Sequence, residues 1–262
     1  MSKIVELSLA LKSVKNNSVL ALGGNVLHRS PVQFVRALAN SGVSGLHLVK
    51  TAVGPEVDLL CAANCVSVVS AGFVGYETEY GLCAHYRKAV EKGVVKANEH
   101  ACYSVITGLR AAAYGVPFLP IRGFDGSDLK EAIGLKEVED PYTGERVTAI
   151  AAIVPDVAVL HVQKADRFGN CEIMGPQYED QTIARAAKHL IVTCEEIVPD
   201  DYFGANRKAD LSGVLVDMVV HISGGASPSS CPDYYGINHD EVKRFKAIKT
   251  ESELHDYLKG GL

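Results

Sequence analysis

Two features of this sequence have residue types that could do chemistry: a glycine turn beside a helix, and a carboxylate near the start of another helix. The turn is Gly23-Gly24, which ends an apolar run and precedes a short polar loop containing Arg29. A helix is predicted to begin at Pro31, with Ser30 as its N-cap. Because a helix start presents unbonded N–H groups and the positive end of the helix dipole, the turn predicts a site for an anion or a developing oxyanion.

The glycine turn matches no nucleotide-binding motif. It is neither G-x-G-x-x-G nor a P-loop, so neither a dinucleotide nor a nucleoside triphosphate is expected there. The alternative interpretation is a tight connection between a strand and a helix of an α/β domain, with no ligand at all.

The candidate carboxylate is Glu99. Residues 98–115 form the strongest predicted helix, with Asn98 as its N-cap and Gly115 at its end. An ionised carboxylate in a first helical turn is stabilised by the dipole and could act as a base or as a nucleophile. The alternative is that glutamate is simply favoured at such a position.

Further polar residues lie beside predicted strands. Glu195 and Glu196 follow a buried strand, where α/β sites form, although a solvated pair is the favoured interpretation. His161 lies in an apolar strand and is expected to be a hydrogen-bonded structural residue. The glycine-rich segment 123–128 could approach a ligand closely, with Ser127 as a donor, or could be a plain surface turn.

Several classes of site are not expected. The other histidines do not cluster with carboxylates at metal-ligand spacing, so no metal is predicted. The sequence has no G-x-S-x-G, so it lends no support to a serine hydrolase of the α/β type.

The composition indicates a globular cytoplasmic protein. The chain has 262 residues, 47% of them apolar, a net charge of −5 and no basic block, so neither nucleic acid nor an anionic membrane is an expected partner. The seven cysteines form no CxxC pair and are predicted to be reduced thiols. The N-terminal residues are too polar for a signal peptide or a membrane span.

Apolar strands alternate with helices along the chain. This pattern predicts a single α/β domain with an open, mostly parallel sheet flanked by helices, and an antiparallel section near residues 147–175. Residues 118–121 are predicted to be a buried strand. Residues 122–145 are rich in Gly, Asp, Lys and Glu and are interpreted as a lid-like excursion.

Six stretches, taken in order, resemble class I CoA-transferases, and the likeness is greatest to the A subunit of the glutaconate type. The resemblance runs from about residue 3 to residue 258 and is carried by the following segments: GGNVLHRSP, NEHACYSVITGLRAAAYGVPFLP, GSDL, VPDVAVLHVQKADRFGNCEIMGP, AKHLIVTCEEIV and SGGASPSSC.

The resemblance implies the CoA-transferase A-subunit fold over residues 1–262 and a heteromer with a separate B subunit. It places the active site at the interface of the two subunits and the thioester-forming glutamate on the B subunit, so this chain is not expected to act alone. A CoA thioester and a carboxylic acid would be substrates, with no permanently bound cofactor. By the resemblance, the A subunit supplies the glycine loop to the site, with Gly23, Gly24, Asn25, Arg29 and Pro31. The other residues expected to contact substrate or CoA are Gly72, Phe73, Arg122, Gly126 and Ser127.

Two other functions remain open. Members of the same family include CoA-thioester hydrolases that open steroid-derived rings and a cofactor-free decarboxylase. In those hydrolases the base is a glutamate of the A subunit, and Glu99 lies at the matching place in this sequence. Alternatively, the chain could be a noncatalytic partner that only completes the fold of the B subunit.

Overall fold

The computed structural model describes residues 1–204 and 207–260. Within these ranges the chain forms thirteen strands and ten α-helices. The strands are β1 (Val19–Leu22), β2 (Leu46–Val49), β3 (Ala52–Val53), β4 (Val66–Ala71), β5 (Phe73–Val74), β6 (Lys96–Glu99), β7 (Phe118–Ile121), β8 (Lys136–Glu139), β9 (Arg146–Ala151), β10 (Val157–Ala165), β11 (Cys171–Glu172), β12 (His189–Ile197) and β13 (Met218–His221). The helices are α1 (Leu7–Leu11), α2 (Val32–Ala39), α3 (Pro55–Ala62), α4 (Glu77–Tyr80), α5 (Ala84–Glu91), α6 (Cys102–Ala113), α7 (Leu129–Ala132), α8 (Asp180–Ala186), α9 (His239–Lys246) and α10 (Glu251–Lys259).

The main sheet has parallel strands in the order β13-β12-β10-β1-β2-β4-β6, and β11 adds an antiparallel partner to β10. The chain begins at the centre with β1, moves outward through β2, β4 and β6, and then returns beside β1 with β10. The strand order therefore reverses between β1 and β10. In open α/β sheets, ligands bind at the carboxyl ends of the strands near such a switch point. The predicted mostly parallel sheet is confirmed.

Helices cover both faces of the main sheet. Successive residues of β1 point to opposite sides, so Leu20 belongs to one apolar cluster and Ala21 to the other. Phe34 of α2 packs in the first cluster, whereas Leu109 of α6 and Ile183 of α8 pack in the second. Burial on both faces explains why the central strands are nearly continuous apolar runs in the sequence.

Residues 122–145 have regular structure of their own. They contain α7 and β8, and β8 joins β7 and β9 in a separate antiparallel sheet with β9 in the middle. The prediction of a strand at residues 118–121 is confirmed, but its predicted burial is wrong, since Phe118 is 40% exposed. The reason is that β7 lies in the small sheet, outside the two covered faces of the main one.

The helix predicted over residues 98–115 begins later than expected. Asn98 and Glu99 belong to β6, which pairs with β4, and α6 starts only at Cys102. The interpretation of Asn98 as an N-cap and of Glu99 as a first-turn residue is therefore wrong. Pairing with a neighbouring strand has outweighed the local helix signals, as tertiary context commonly does.

Two further observations concern the chain as a whole. All seven cysteines are free thiols, as predicted. Among the described residues, every helix is too short or too polar to cross a bilayer.

Candidate active site

Most of the predicted site residues lie at the carboxyl edge of the main sheet. Gly23 and Gly24 follow β1 at the switch point, Gly72 and Phe73 follow β4, and Glu99 is the last residue of β6. Three strand spacings of about 4.8 Å separate β1 from β6, which is roughly 14 Å. The glycine turn and Glu99 therefore share one edge of the sheet without lying against each other.

Six N–H groups of the glycine loop, residues 23–30, are bonded within the chain, including the three at its beginning. Gly23 N–H donates to Val159 O at 2.9 Å, Gly24 N–H to Asp180 Oδ1 at 3.0 Å, and Asn25 N–H to His28 O at 2.8 Å. The expectation of unbonded donors is wrong for these three groups. The glycine loop instead forms a fixed wall of the edge.

Two polar groups at the start of α2, the Ser30 hydroxyl and the Gln33 N–H, also have hydrogen-bond partners within the chain. Pro31 holds the N-cap position without a side-chain cap, so the prediction of Ser30 as N-cap is wrong. The Ser30 hydroxyl donates to Val26 O at 3.0 Å and accepts from Lys50 Nζ at 2.8 Å. Gln33 N–H donates to Gly225 O at 3.0 Å. These contacts hold Ser30 to Val26 and Lys50, and they join the start of α2 to Gly225.

Arg29 is only 1% exposed and pairs with the buried Asp180, with Nη1 and Oδ2 2.5 Å apart. Its guanidinium also donates to His161 O and Pro176 O, each at 2.8 Å. Turning Arg29 toward a substrate would leave the Asp180 carboxylate buried and unpaired, which typically costs about 3–5 kcal/mol. The structure therefore gives Arg29 a positioning contact with α8.

Strained backbone collects around the glycine loop. Four residues other than glycine have positive φ there: Val26 at 43°, Arg29 at 53°, Glu77 at 62° and Tyr178 at 47°. A β-branched residue such as valine is a true outlier in this region. Such strain persists where the surroundings over-determine the backbone, and it is common at functional sites.

His28 lies at the exposed rim of the glycine loop. Its Nδ1 is 2.9 Å from Ser230 Oγ, and its Nε2 is 3.4 Å from Glu77 Oε1. Sequence patterns did not connect these residues, because Glu77 and Ser230 are distant from His28 along the chain.

The loops after β2 and β4 are joined to each other. Thr51 O accepts the N–H groups of Gly72 and Phe73 at 2.9 and 3.0 Å, and the Thr51 hydroxyl donates to Glu179 Oε2 at 2.6 Å. A Cβ on Gly72 would lie 2.3 Å from Cys102 N, so only glycine fits. Phe73 remains 44% exposed at the rim.

Glu99 is exposed, and within the described residues its carboxylate has no hydrogen bond or ion pair. Burial raises the pKa of Tyr86 on α5 to about 12, and the charges of Cys61 and Glu99 add to that rise. The Glu99 carboxylate is therefore free to meet a substrate or a partner.

Three predicted binding residues lie in the excursion. Arg122 is exposed and pairs with Glu145 at 2.7 Å, Gly126 is exposed, and Ser127 Oγ accepts Leu129 N–H at 3.3 Å. The following helix, α7, lies beside β6. The excursion thus neighbours the strand that carries Glu99, whereas the glycine loop lies nearer the middle of the sheet.

Glu195 and Glu196 have different environments. Both belong to β12, which runs longer than predicted, so the Glu195 side chain is only 2% exposed while Glu196 is exposed. The interpretation as a solvated pair is wrong for Glu195. Its Oε1 accepts from Gly225 N–H at 3.0 Å, from the Tyr235 hydroxyl and from His161 Nε2 at 2.8 Å, and its Oε2 accepts from Gly224 N–H at 2.7 Å.

His161 is hydrogen-bonded, as predicted, with Nδ1 2.9 Å from Thr193 Oγ1 and Nε2 beside Glu195. Burial lowers the pKa of His161 below its usual value. Burial would raise the pKa of Glu195, but the hydrogen bonds from His161 and Tyr235 outweigh it and hold that pKa low. A neutral imidazole therefore donates to an ionised carboxylate.

His161, Glu195 and Cys231 bring three possible metal-ligand atoms within 4.8 Å of one another. The sequence spacing did not reveal this group, because the strands bring its members together. The imidazole and carboxylate atoms already have hydrogen-bond partners in the chain. This chemistry fits a closed hydrogen-bonded cluster better than a metal centre.

The chain is an α/β protein whose candidate site lies at the switch point of its main sheet. Residues 5–221 match the family described as coenzyme A transferase. The chain belongs to that family, and the resemblance found in the sequence is confirmed.

The chain is similar to the A subunit of glutaconate CoA-transferase from Acidaminococcus fermentans, with 30% identity over 99% of this chain and 87% of the relative. It is 31% identical to a cholesterol ring-cleaving hydrolase subunit of Rhodococcus jostii, over 89% of this chain and 82% of that one. An uncharacterized protein of Archaeoglobus fulgidus is 35% identical over 94% of this chain, which spans only 56% of that relative.

Two solved structures have the same fold over nearly the whole chain. The glutaconate enzyme of Acidaminococcus fermentans superposes with a TM-score of 0.92 at 29% identity, covering 99% of this chain and 88% of that one. The decarboxylase AibA/AibB superposes with a TM-score of 0.91 at 31% identity, covering 99% and 98%.

We expect steric crowding to be the main reason why replacing Gly24 destabilises the protein. Gly24 and Gly126 have nearly the same φ, 70° and 73°, but a Cβ on Gly24 would lie 2.4 Å from Arg29 O, whereas one on Gly126 meets nothing within 4 Å. Gly126→Ala should lower the free energy of unfolding by about 1–2 kcal/mol for the left-handed backbone alone. Gly24→Ala should lower the free energy of unfolding, measured in urea, clearly more than Gly126→Ala does. Equal losses in the two variants would refute the close approach of Gly24 to Arg29 O.

We also expect stability to fall on mild acidification. The unfolded chain protonates His161 near pH 6.5, whereas the folded chain keeps it neutral, so the free energy of unfolding should drop below that pH by up to about 1.4 kcal/mol per pH unit. Burial also lowers the pKa of His47 and His100, which adds to the drop. Urea unfolding at pH 7.5 and 5.5 should show a smaller difference in His161→Gln than in the wild type. The exposed His255→Gln should keep the wild-type difference, and an unchanged difference in His161→Gln would contradict this assignment.

Proposed function

We propose that this chain is the A subunit of a heteromeric CoA-transferase that moves CoA between carboxylic acids. The observation that carries the proposal is similarity over nearly the whole chain to the A subunit of glutaconate CoA-transferase, in sequence and in fold. The partner is a B subunit, the substrates are an acyl-CoA thioester and a free carboxylate, no cofactor is permanently bound, and the complex works in the cytoplasm.

The open form of the edge supports the need for a partner. Phe73 and Glu99 are exposed there and His28 is half-buried, whereas a site for acyl transfer must exclude water to protect its intermediates. In the proposed complex the B subunit covers this edge, and the glycine loop is one wall of the resulting pocket.

The proposed chemistry is nucleophilic. The thioester carbonyl is attacked by a glutamate carboxylate of the B subunit, the C–S bond breaks, and CoA leaves as the thiolate. The thiolate then attacks the glutamyl carbonyl of the mixed anhydride, which releases the first acid and forms an enzyme–CoA thioester. A second carboxylate reverses these steps and leaves as its CoA ester. This chain contributes walls for CoA and the acyl group from the following residues: Gly23, Gly24, Asn25, Gly72, Phe73, Arg122, Gly126 and Ser127. Arg29 holds the glycine wall in place through its buried pair with Asp180.

Glu99 favours a second candidate function, a CoA-dependent hydrolase or decarboxylase of the same family. Glu99 ends a strand at the carboxyl edge, is exposed, and has no partner among the described residues. The similar proteins include a decarboxylase and one subunit of a ring-cleaving hydrolase. In this alternative Glu99 is the base that activates water or the substrate.

The functions are separated by an assay of the purified two-chain complex on a panel of dicarboxyl-CoA esters. The transferase predicts acyl-CoA products only when an acceptor acid is added, together with a B subunit whose intact mass rises by one CoA less water. Release of free CoA without an acceptor indicates hydrolysis, and release of CO₂ indicates decarboxylation. Full activity of the isolated B subunit would reduce this chain to a noncatalytic partner.

Glu99→Gln tests the second candidate directly. The substitution removes the basic oxygen but keeps the size, so hydrolysis or decarboxylation should slow by about 10²–10⁴-fold, the usual contribution of a general base. Gel filtration should show an intact complex. Glu251→Gln, on the exposed start of α10, is the control and should retain wild-type turnover. Full activity of Glu99→Gln would remove Glu99 from the mechanism.

A further inference from the structure

The motif SGGASPSSC lies in a segment, residues 223–235, that connects two groups at the carboxyl edge of the main sheet. The first is the buried Glu195 carboxylate. The second is the glycine loop, residues 23–30. In the sequence, nothing beyond the family resemblance points to a role for this segment.

The first contact is between Glu195 and the segment. Its two oxygens accept the N–H groups of Gly224 and Gly225 at 2.7 and 3.0 Å, and one also accepts the Tyr235 hydroxyl. The same Tyr235 oxygen accepts Ala226 N–H at 3.0 Å. One carboxylate therefore holds the beginning and the end of the segment together.

The space around Gly225 shows how close this contact is. A Cβ on Gly225 would lie 2.5 Å from Cε1 of the His161 ring, although the φ of Gly225 is not in the left-handed region. Glycine is therefore required at residue 225 by contact with His161, and His161 is itself bonded to Glu195.

The second contact is between the segment and the glycine loop. Ser230 O accepts Arg29 N–H at 2.7 Å, Ser230 N–H donates to Leu27 O at 2.9 Å, and Ser230 Oγ lies 2.9 Å from His28 Nδ1. The segment also reaches α2, where Gln33 Nε2 donates to Ser227 O at 2.6 Å. These bonds hold the loop residues whose backbone is strained.

We propose that Glu195 is a positioning residue that fixes the glycine loop at the site edge by holding residues 223–235 against it. A carboxylate can accept all four hydrogen bonds, whereas an uncharged amide at the same place would set an NH₂ group against a donor. Loss of the carboxylate therefore frees the segment, and with it the orientation of His28 and of the wall beside it.

The chain offers a matched pair of glutamate–tyrosine contacts. Glu195 bonds to Tyr235 inside the protein, whereas its neighbour Glu196 accepts the exposed Tyr234 hydroxyl at 3.0 Å. Glu195→Gln and Tyr235→Phe are the test variants. Glu196→Gln and Tyr234→Phe are their controls, and none of the four residues belongs to the proposed substrate-binding set.

The first readout is amide hydrogen exchange of the full chain, which requires no activity. In Glu195→Gln, amides of residues 224–230 and of residues 25–30 should exchange about ten-fold faster or more, because local opening becomes easier. Amides of β9 and α3 should be unchanged, as should all amides in Glu196→Gln. Unaltered exchange at residues 25–30, or a uniform increase over the whole chain, would overturn the proposal. If Glu195→Gln does not fold, Tyr235→Phe against Tyr234→Phe decides by the same criteria.

The second readout rests on the proposed function and uses the two-chain complex. Displacing a positioned wall by about 1 Å should lower kcat by about 10–100-fold, and Glu196→Gln should match the wild type. KM for the acyl-CoA should change less than kcat. A wild-type complex that turns over no acyl-CoA would refute the proposed function and leave the exchange result to decide the role of Glu195. Wild-type kcat in Glu195→Gln together with altered exchange would overturn the catalytic part of the proposal.

Discussion

The candidate site depends on the buried carboxylate of Asp180. One of its oxygens accepts Gly24 N–H at 3.0 Å, and the other pairs with the Arg29 guanidinium at 2.5 Å. A buried charge is tolerated only when it is paired and hydrogen-bonded. Because Asp180 begins α8, this requirement ties the loop after β1 to the helix that follows the β10–β11 hairpin, across the switch point of the sheet. The left-handed backbone of Arg29 is the local cost of that geometry, whereas Gly24 adopts the same region without a Cβ clash.

Glu179, the residue before Asp180, fixes further loops along the carboxyl edge of the sheet. Glu179 accepts the Thr51 hydroxyl, and Thr51 O accepts the N–H groups of Gly72 and Phe73. Two adjacent carboxylates at the start of α8 thus fix the loops after β1, β2 and β4. Glu99, at the end of the outermost strand, stands beyond this bonded series. The edge therefore has a rigid inner part and an exposed outer part.

The fold was predictable because both faces of the main sheet are buried. Its strands are therefore apolar runs in the sequence, separated by glycine and proline. β6 escaped prediction because its residues, Lys96–Glu99, lie on an outer strand and include little apolar surface. The site was less predictable. The contact of His161 with Glu195 follows from the register of β10 and β12, which sets His161 opposite Thr193. The pairing of Arg29 with Asp180 likewise joins residues that only the completed sheet brings together.

The different environments of Glu99 and Glu195 indicate different roles for the two carboxylates. Glu195 is buried, and both of its oxygens accept hydrogen bonds from the cluster that it holds, so the carboxylate is not presented to a substrate. Glu99 has free oxygens but lies open to water. A carboxylate becomes an effective base near neutral pH when water is removed around it, and a nucleophilic route needs the same exclusion to keep an anhydride from hydrolysis. The described residues leave Glu99 uncovered, and in the proposed complex the B subunit supplies the missing wall.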